Sequence, residues 1–593
     1  MKRNDILILV ALFALWLAWP SFDRHVIRKY FFPAPPPAAV EEAPPADTAA
    51  EPPALAPAEA PAPAAETPAP AIEAAPEPED AGPESTATLE DERVRLVLSS
   101  RGAGVASAEL KQYPLTAEAG SPPVVLDFSA RRALAYGGLA GLSEAVNFTV
   151  ASQTGNEVVL EHTAASGLQL QRTLQLADGY LLKVTDRFAN RGSAALAVPD
   201  HSLQTGPMPN LPGESAMRGV ANQGVDTLSP GGEGVQHWGG KVPGWFDEVR
   251  KEKNLPGLPE RIEWPLDTAM EWVAAKNKYF AQVLVPEGGA EKAVVLARRE
   301  VSEAERQDPA AKPRGAVLAD MAVSVQFAGT VLAPGDAFTR TVQYYIGPKK
   351  FDVLSRHGQH MVDVMEFGFW AAIGKILLQV MNGIHRVLWP HNYGIAVILL
   401  TVLIRVVFWP ITRKSTESMR KMQEIQPLVT AARQQYKDSP QKQQQAIMAL
   451  YKEHKVNPLG GCLPMLIQIP VFIALFVVLR SAIELRFASF LWIRDLSQPE
   501  NLLAGKLPFG LSLNLLPILM AATMAWQQKL TPSGGDPNQQ KMMMFMPIMM
   551  LVLFYNFASG LSLYWTTNQC LMIAQQLAAQ RRKKAREAAA AAR

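Results

Sequence analysis

Cysteine is nearly missing from this chain: Cys462 and Cys570 are the only two, both lie in apolar stretches, and the long polar region before them has none. No disulfide framework is therefore available. Metal-ligand spacing is missing too, since His357 and His360 are the nearest approach to a ligand pair and a solvated surface pair explains them. No cysteine follows the N-terminal apolar run, which excludes a lipoprotein. No small-x-small cleavage site follows it either, because Trp19-Pro20-Ser21-Phe22 is bulky. The repeated halves expected of a secondary transporter are absent, and no spacing of acids or histidines singles out a catalytic pair. The expectation is a protein with no cofactor, no metal and no enzymatic chemistry. A secondary transporter and a membrane-anchored periplasmic carbohydrate-binding enzyme stand as the alternatives.

What is present is a mosaic. Residues 1–22 start basic and continue into an apolar run, Ile6 to Trp19, which reads as an uncleaved signal anchor. Residues 23–90 are rich in Ala, Pro and Glu and cannot bury enough apolar surface to offset ordering entropy, so they form a disordered, semi-extended linker. That tether implies a mechanically independent domain after it. Over residues 91–347 the period becomes two, in segments such as Arg93 to Leu98, Glu157 to Glu161, Leu168 to Leu176, Lys278 to Val285 and Phe338 to Tyr345. An all-β sandwich follows.

After residue 347 the pattern turns helical. Residues 348–392 mix apolar residues at helical spacing with charges and suggest an amphipathic interfacial helix. A second span covers 393–411 and a basic helical hairpin 412–460, with Pro427 inside its first arm and Asp438-Ser439-Pro440 at its turn. Four further spans occupy 461–580 and a basic tail 581–593, so the chain reads as an α-helical polytopic membrane protein of six spans with an all-β external domain. Stretch 411–458 holds nine Lys or Arg against four Asp or Glu, and the tail holds six against one. Both ends and the hairpin are expected inside and the β-domain outside.

Arg405 stands out, because it lies in the apolar run from Gly394 to Trp409. At about 1.5 Å of rise per residue it sits about 12 Å from the Arg413-Lys414 pair that marks the inner membrane surface. A charge at that depth costs about 2.5–3.5 kcal/mol, so a water-filled or substrate-facing position is expected. Thr401 is four residues earlier on the same face. Gln468 in the third span, with Tyr564, Thr567 and Asn568 in the sixth, supplies polar groups able to hydrate a groove or to bond between helices. The fifth span opens with the methionine-rich run Met542 to Met550, flexible apolar surface suited to varied partners or to lipid.

These residues carry a resemblance. Thr401-Val-Leu-Ile-Arg405 with Trp409-Pro410, then Val456-Asn-Pro-Leu-Gly-Gly-Cys-Leu-Pro464, Ile467-Gln468-Ile-Pro470 and Ser559-Gly-Leu-Ser-Leu-Tyr-Trp565, are similar to the bacterial YidC membrane-protein insertases of the YidC/Oxa/Alb family. The resemblance implies five spans around a hydrophilic groove open to the cytoplasm and to lipid. It implies a β-domain of the galactose-mutarotase-like supersandwich type, and an inner-membrane location with both termini cytoplasmic. It maps the family's groove positions onto Arg405, Thr401 and Tyr564; Gln468, Thr567 and Asn568 join them as groove candidates on their own polarity, and Met465, Phe472, Met543 and Met546 are the expected apolar sliding contacts. Implied partners are nascent membrane proteins, Sec translocon components, the ribosome through the hairpin and tail, and membrane lipids.

Overall fold

The computed structural model describes residues 83–212, 223–232, 234–307, 316–358, 360–437, 439–454, 463–503, 512–530 and 537–591. The N-terminal anchor, and the linker up to residue 82, lie outside the described residues.

Regular structure begins inside the stretch read as linker. Thr86–Glu90 is a strand whose Ala87 and Leu89 point into the core while their neighbours face solvent. It pairs antiparallel with Val94–Ser99, setting Ala87 opposite Leu98 and Leu89 opposite Leu96. The linker boundary at residue 90 is therefore too late: two alternating apolar residues suffice for a strand once a partner covers one face.

Nine strands form the main sheet, all antiparallel, in the order Gln236–His237, Gly224–Leu228, Trp272–Lys276, Phe280–Pro286, Ala337–Pro348, Leu181–Asn190, Leu168–Ala177, Glu157–Thr163 and Thr149–Gln153. A six-stranded sheet containing Arg261–Leu266, Lys292–Arg299 and Leu318–Phe327, a four-stranded sheet from Thr86–Glu90 to Pro123–Asp127 and a two-stranded pairing of Leu196–Val198 with Thr330–Leu332 accompany it in the β-domain. Two helices, α1 (Val242–Glu252) and α2 (Glu303–Gln307), decorate it. Trp272, Phe188, Phe280, Tyr344 and Tyr345 are fully buried in the core.

Its buried charges are structurally satisfied. Arg172 and Asp186 are wholly buried and joined by two contacts of 2.7 Å, while Tyr136 donates to Asp186 at 2.7 Å and Arg172 also reaches the carbonyl of Ala103. An ion pair left half-made at that depth would be strongly destabilising, so this network holds the sheet together.

A short helix, α3 (Phe351–Leu354), and two 3₁₀ turns lead into α4 (Ala371–Val387), which buries Gly374, Leu377, Leu378 and Met381 along one face. Then come α5 (Tyr393–Glu424), α6 (Gln426–Gln435), α7 (Pro440–Glu453), α8 (Leu463–Ser481), α9 (Leu515–Leu530), α10 (Pro537–Phe554) and α11 (Ser559–Ala591). Helix α5 does not stop at residue 411. It passes through Pro410, and the Thr412 hydroxyl donates to the carbonyls of Phe408 and Trp409 at 2.8 and 3.0 Å, next to where the proline lacks an N–H. Pro427 likewise is not interior to an arm: it stands in the first turn of α6, where a missing N–H costs nothing, and the break falls at Ile425. The α6–α7 hairpin packs only a small core of Ile425 and Val429 against Met422, Ile447, Leu450 and Tyr451.

Among the described residues one helix, Tyr393–Pro410, is long and apolar enough to cross a membrane, and Gln468–Ser481 and Met544–Phe554 are shorter apolar stretches. The β-domain is also less independent than its tether implies. Lys276, almost fully buried, pairs with Asp226 at 2.6 Å and with Glu366 at 2.9 Å, joining the main sheet to the segment that enters the helices. Burial alone would lower the Lys276 ammonium, but the two carboxylates outweigh it and hold its pKa above the ordinary value.

Candidate functional site

Helix α11 is the hub of the helical region. It packs against α5, α8 and α9, whereas α10 packs chiefly on α9 and α4 lies across α5 and α8. The helices thus form an arc from α10 through α9 and α11 to α5 and α8. Rings join α8 to both α11 and α10: Phe472 of α8 stands edge-on to Trp565 of α11 at 5.0 Å and tilted against Phe554 of α10 at 5.9 Å.

Inside the arc the polar side chains meet in pairs. Arg405 of α5 is 9% exposed, and its Nε donates to Asn568 Oδ1 of α11 at 2.8 Å. One turn along α11, Tyr564 accepts a hydrogen bond from the Gln468 side-chain amide of α8. Tyr564 and Asn568 share a face because they are four residues apart. Two interhelical bonds one turn apart therefore line up α5, α8 and α11. Thr401 is fully buried and turns its hydroxyl back to the Val397 carbonyl at 2.7 Å, satisfying itself within its own helix. Thr567 is half-buried and outside the hydrogen-bonded set.

The electrostatic feature of the site is an incomplete satisfaction. A guanidinium carries five N–H donors, and among the described residues Arg405 has one neutral acceptor and no carboxylate partner. A nearly buried cation held by a single amide oxygen retains most of its capacity to bind an anion.

The intended sliding contacts differ among themselves. Phe472 is half-buried within the ring cluster, and Met546 is half-buried on α10. The side chains of Met465 and Met543 lie outside the described residues. Beside Met546, a continuous face of α10 is exposed: Met544, Phe545, Ile548, Met549, Val552 and Leu553 are each more than half accessible.

Sequence reasoning missed polar groups on the neighbouring face of α11. Ser562 and Gln569 are buried, and among the described residues Ser562 Oγ, Gln569 Oε1 and Trp565 Nε1 have no hydrogen-bond partner. Their spacing of three and four residues was readable as one helical face. His357 and His360 do not converge: His357 contacts the Gly179 carbonyl and His360 sits 3.1 Å from Asp363. Among the described residues no cluster of His, Cys, Asp or Glu is arranged to hold a metal ion.

Residues 384–587 match the family model described as 60Kd inner membrane protein, and residues 86–380 match that of the YidC periplasmic domain. The membrane protein insertase YidC of Pelobacter propionicus is 32% identical over 510 residues, covering 83% of this chain and 86% of that protein. That of Geobacter metallireducens is 34% identical, covering 81% and 82%. That of Syntrophobacter fumaroxidans is 48% identical over 40% of this chain and 42% of its own length. Among solved structures, an active YidC insertase with its first transmembrane domain resolved is 17% identical, with a TM-score of 0.34, covering 82% of this chain and 91% of that one. A putative aldose 1-epimerase of Escherichia coli K12 covers 45% of this chain and all of its own, at 9% identity and a TM-score of 0.30. These two likenesses are too slight to bear on function. The sequence relatives span four fifths of the chain at more than 30% identity, and on that ground the chain belongs to the YidC family: it is a membrane protein insertase of the inner membrane rather than an enzyme, and its clients are nascent membrane proteins.

Proposed function

We propose that the seam between α5, α8 and α11 is where a client's hydrophilic segment is received, with Arg405 as its electrostatic centre. The observation that carries this reading is the near-burial of Arg405 with one neutral partner, Asn568. A client carboxylate competes for that guanidinium. At a separation of about 4 Å and an effective dielectric near 20 the pair gains of order 4 kcal/mol, comparable to the penalty of burying the acid, so binding is transient and no bond is made or broken. Thr401, Gln468, Tyr564, Thr567 and Asn568 keep the seam polar while the segment passes. The client's apolar segment leaves along α8 and α10, past Met465, Phe472, Met543 and Met546, and partition into lipid drives its exit.

The surrounding arrangement follows from charge and length. Residues 1–22 anchor the chain, residues 23–85 tether the domain, and residues 86–348 form it outside the membrane. Spans two to six run along α5, α8, α9, α10 and α11, with both termini and the α6–α7 hairpin in the cytoplasm. The hairpin and the basic end of α11 offer positive surface to the ribosome, and the exposed faces of α8 and α10 contact lipid and components of the Sec translocon.

Site-specific photocrosslinking during translation tests this reading. A crosslinker replacing Val402 or Met546 is expected to capture clients as their first hydrophilic segment emerges. Capture only from the lipid-facing positions Val407 and Val552 would place the client path outside the seam.

A further inference from the structure

A cleft of about 240 Å³ lies outside the seam, where the loop between α8 and α9 meets the β-domain. Its walls carry charges of both signs, Arg486 and Asp495, beside the rings of Tyr279 and Phe487, and the turn after strand Val105–Pro114 adds Thr116 and Ala117.

Each charge is fixed by groups of its own. Arg486 donates to the Pro114 and Leu115 carbonyls at 2.8 and 3.1 Å, and its guanidinium carbon lies 4.4 Å from the Phe487 ring centre and 5.4 Å from that of Tyr279. Carbonyls and ring faces orient a cation without neutralising it. Asp495 accepts from the Ser497 N–H and hydroxyl at 2.8 and 2.7 Å. Burial raises its pKa above the ordinary carboxylate value, against those bonds and the charge of Lys278, so a further cation brought to the carboxylate is stabilising.

The same loop has an apolar tip. Phe490 and Ile493 exchange backbone hydrogen bonds at 2.9 Å and the Leu496 N–H donates to the Ala488 carbonyl at 3.0 Å, which folds 488–496 into a short hairpin ending in Leu491 and Trp492. Leu491 is 75% exposed and Trp492 39%, and the Trp492 indole N–H donates to Glu500 at 3.3 Å. An exposed Leu–Trp pair with its polar handle engaged suits the interfacial layer of a membrane. At about 3.3 Å per residue Leu491 stands about 13 Å along the chain from Phe487 at the cleft, less than the depth of one leaflet, about 20–22 Å. One phospholipid can therefore lay its chains against the tip and its headgroup in the cleft.

We propose that this cleft binds the headgroup of a zwitterionic aminophospholipid of the phosphatidylethanolamine type, with the phosphodiester on Arg486 and the primary ammonium on Asp495. The pair of charges selects the headgroup. A quaternary ammonium has no N–H to give the carboxylate, and an uncharged alcohol headgroup leaves the carboxylate without a cation, so a phosphate joined to a protonated amine is the group that meets both. The site uses no residue of the seam. It rests on the membrane arrangement proposed above, in which this loop is on the outer surface, and not on the route taken by clients.

The test is native mass spectrometry of the full chain in detergent, offered phosphatidylethanolamine, phosphatidylcholine or phosphatidylglycerol with matched acyl chains. Phosphatidylethanolamine should be retained in preference to the other two. Loss of a charged hydrogen bond weakens binding by roughly tenfold, so Arg486→Gln should lower its retention by about that factor, and Asp495→Asn should bring it down to that of phosphatidylcholine. Arg486 also holds Pro114 and Leu115, so Ala117→Trp supplies an independent variant: it fills the cleft with both charges in place and should abolish the preference while the β-domain keeps its protease resistance. Equal retention of the three lipids by the unaltered chain would overturn the proposal, as would a preference for phosphatidylglycerol. A preference for phosphatidylethanolamine that survives both Asp495→Asn and Ala117→Trp would put the lipid elsewhere and overturn it too. Soluble glycerophosphoethanolamine should compete poorly; displacement of the lipid at equal concentration would show that the chains contribute nothing and overturn the lipid as the ligand. Detergent leaves both faces of the protein open, so a wrong membrane arrangement would not alter this measurement and is read separately by cysteine labelling in cells.

Discussion

Replacing Arg405 by alanine removes the charge at the centre of the seam and also strips Asn568 of its donor. The lost attraction for a client carboxylate is of order 4 kcal/mol at about 4 Å and a dielectric near 20. Part of that attraction is offset in the native protein by the further desolvation of the guanidinium as the acid pairs with it, so a tenfold to hundredfold loss in insertion of acidic-tailed clients is the expected scale, about 1.4 kcal/mol per decade. Arg405→Lys keeps the charge and loses the Nε contact to Asn568, so it should retain much activity, since acids of varied sequence need a charge rather than a fixed fork. Arg405→Glu should be worse than alanine. The assay is insertion into proteoliposomes holding equal amounts of each variant, with paired clients whose translocated tails carry two acids or none. Raising salt should change little, because a 9% exposed cation is poorly screened. An equal fall for acidic and neutral tails in Arg405→Ala would refute the electrostatic role and make Arg405 a structural residue.

Tyr564→Phe leaves the Gln468 amide without its acceptor in a buried place and should destabilise the helical region by about 1–3 kcal/mol in thermal unfolding, whereas adding Gln468→Leu should recover most of that loss. In the β-domain, His201 is buried, accepts from Arg340 at one ring nitrogen and faces the Pro199 carbonyl with the other, and burial above all pushes its pKa down to about 4. Its folded value lies below the unfolded one, so its contribution is whole above about pH 6.5 and declines, by about 3 kcal/mol, as pH falls toward 4. Protease resistance of the domain should therefore drop over that window, and a His201→Gln variant should show a flatter profile. Cysteines at Gln435 and Ala588 should be shielded from impermeant thiol reagents in intact cells, and one at Asp200 should react; labelling at Gln435 from outside would overturn the proposed topology.

Periodicity made the repeated local pattern legible and failed where one distant contact decided the outcome. Leu168–Ala177 alternates along its whole length and was readable as a strand. Thr86–Glu90 offers only Ala87 and Leu89 and becomes a strand because Leu98 and Leu96 face them. Pro427 reads as a defect within a heptad seam until the chain is seen to bend at Ile425, and the span boundary at residue 411 is not a helix end, since α5 runs on to Glu424. In the candidate site, Thr401 and Arg405 were readable because they share one helix. The partner of Arg405 was not: Asn568 lies 163 residues away, and no spacing encodes that pairing. The bond of 3.2 Å from Lys278 Nζ to the Ser497 carbonyl is still less legible, since the two stand 219 residues apart and the Ala- and Pro-rich tether of the β-domain points to independence.

The division between a polar seam and an apolar face has a physical logic that neither surface supplies alone. A hydrophilic segment crossing about 30 Å of hydrocarbon leaves its polar groups unsatisfied. Arg405, Asn568, Gln468 and Tyr564 offer those groups partners; Asn568, Gln468 and Tyr564 are already engaged, so only Arg405 adds a new bond to a client and the segment is not trapped by the rest. The exposed α10 face from Met544 to Leu553 offers only apolar contact, which lipid matches, so it guides an apolar segment without retaining it. Net release into the bilayer then follows from the client's own hydrophobicity. A more fully satisfied Arg405 would bind acids poorly, and a deeper polar pocket would hold them too long. One amide oxygen on a nearly buried guanidinium lies between those failures, so a second acceptor, introduced as Val402→Asp, should slow insertion of acidic-tailed clients while leaving neutral-tailed ones nearly unchanged; equal slowing of both would show that Arg405 does not choose among them.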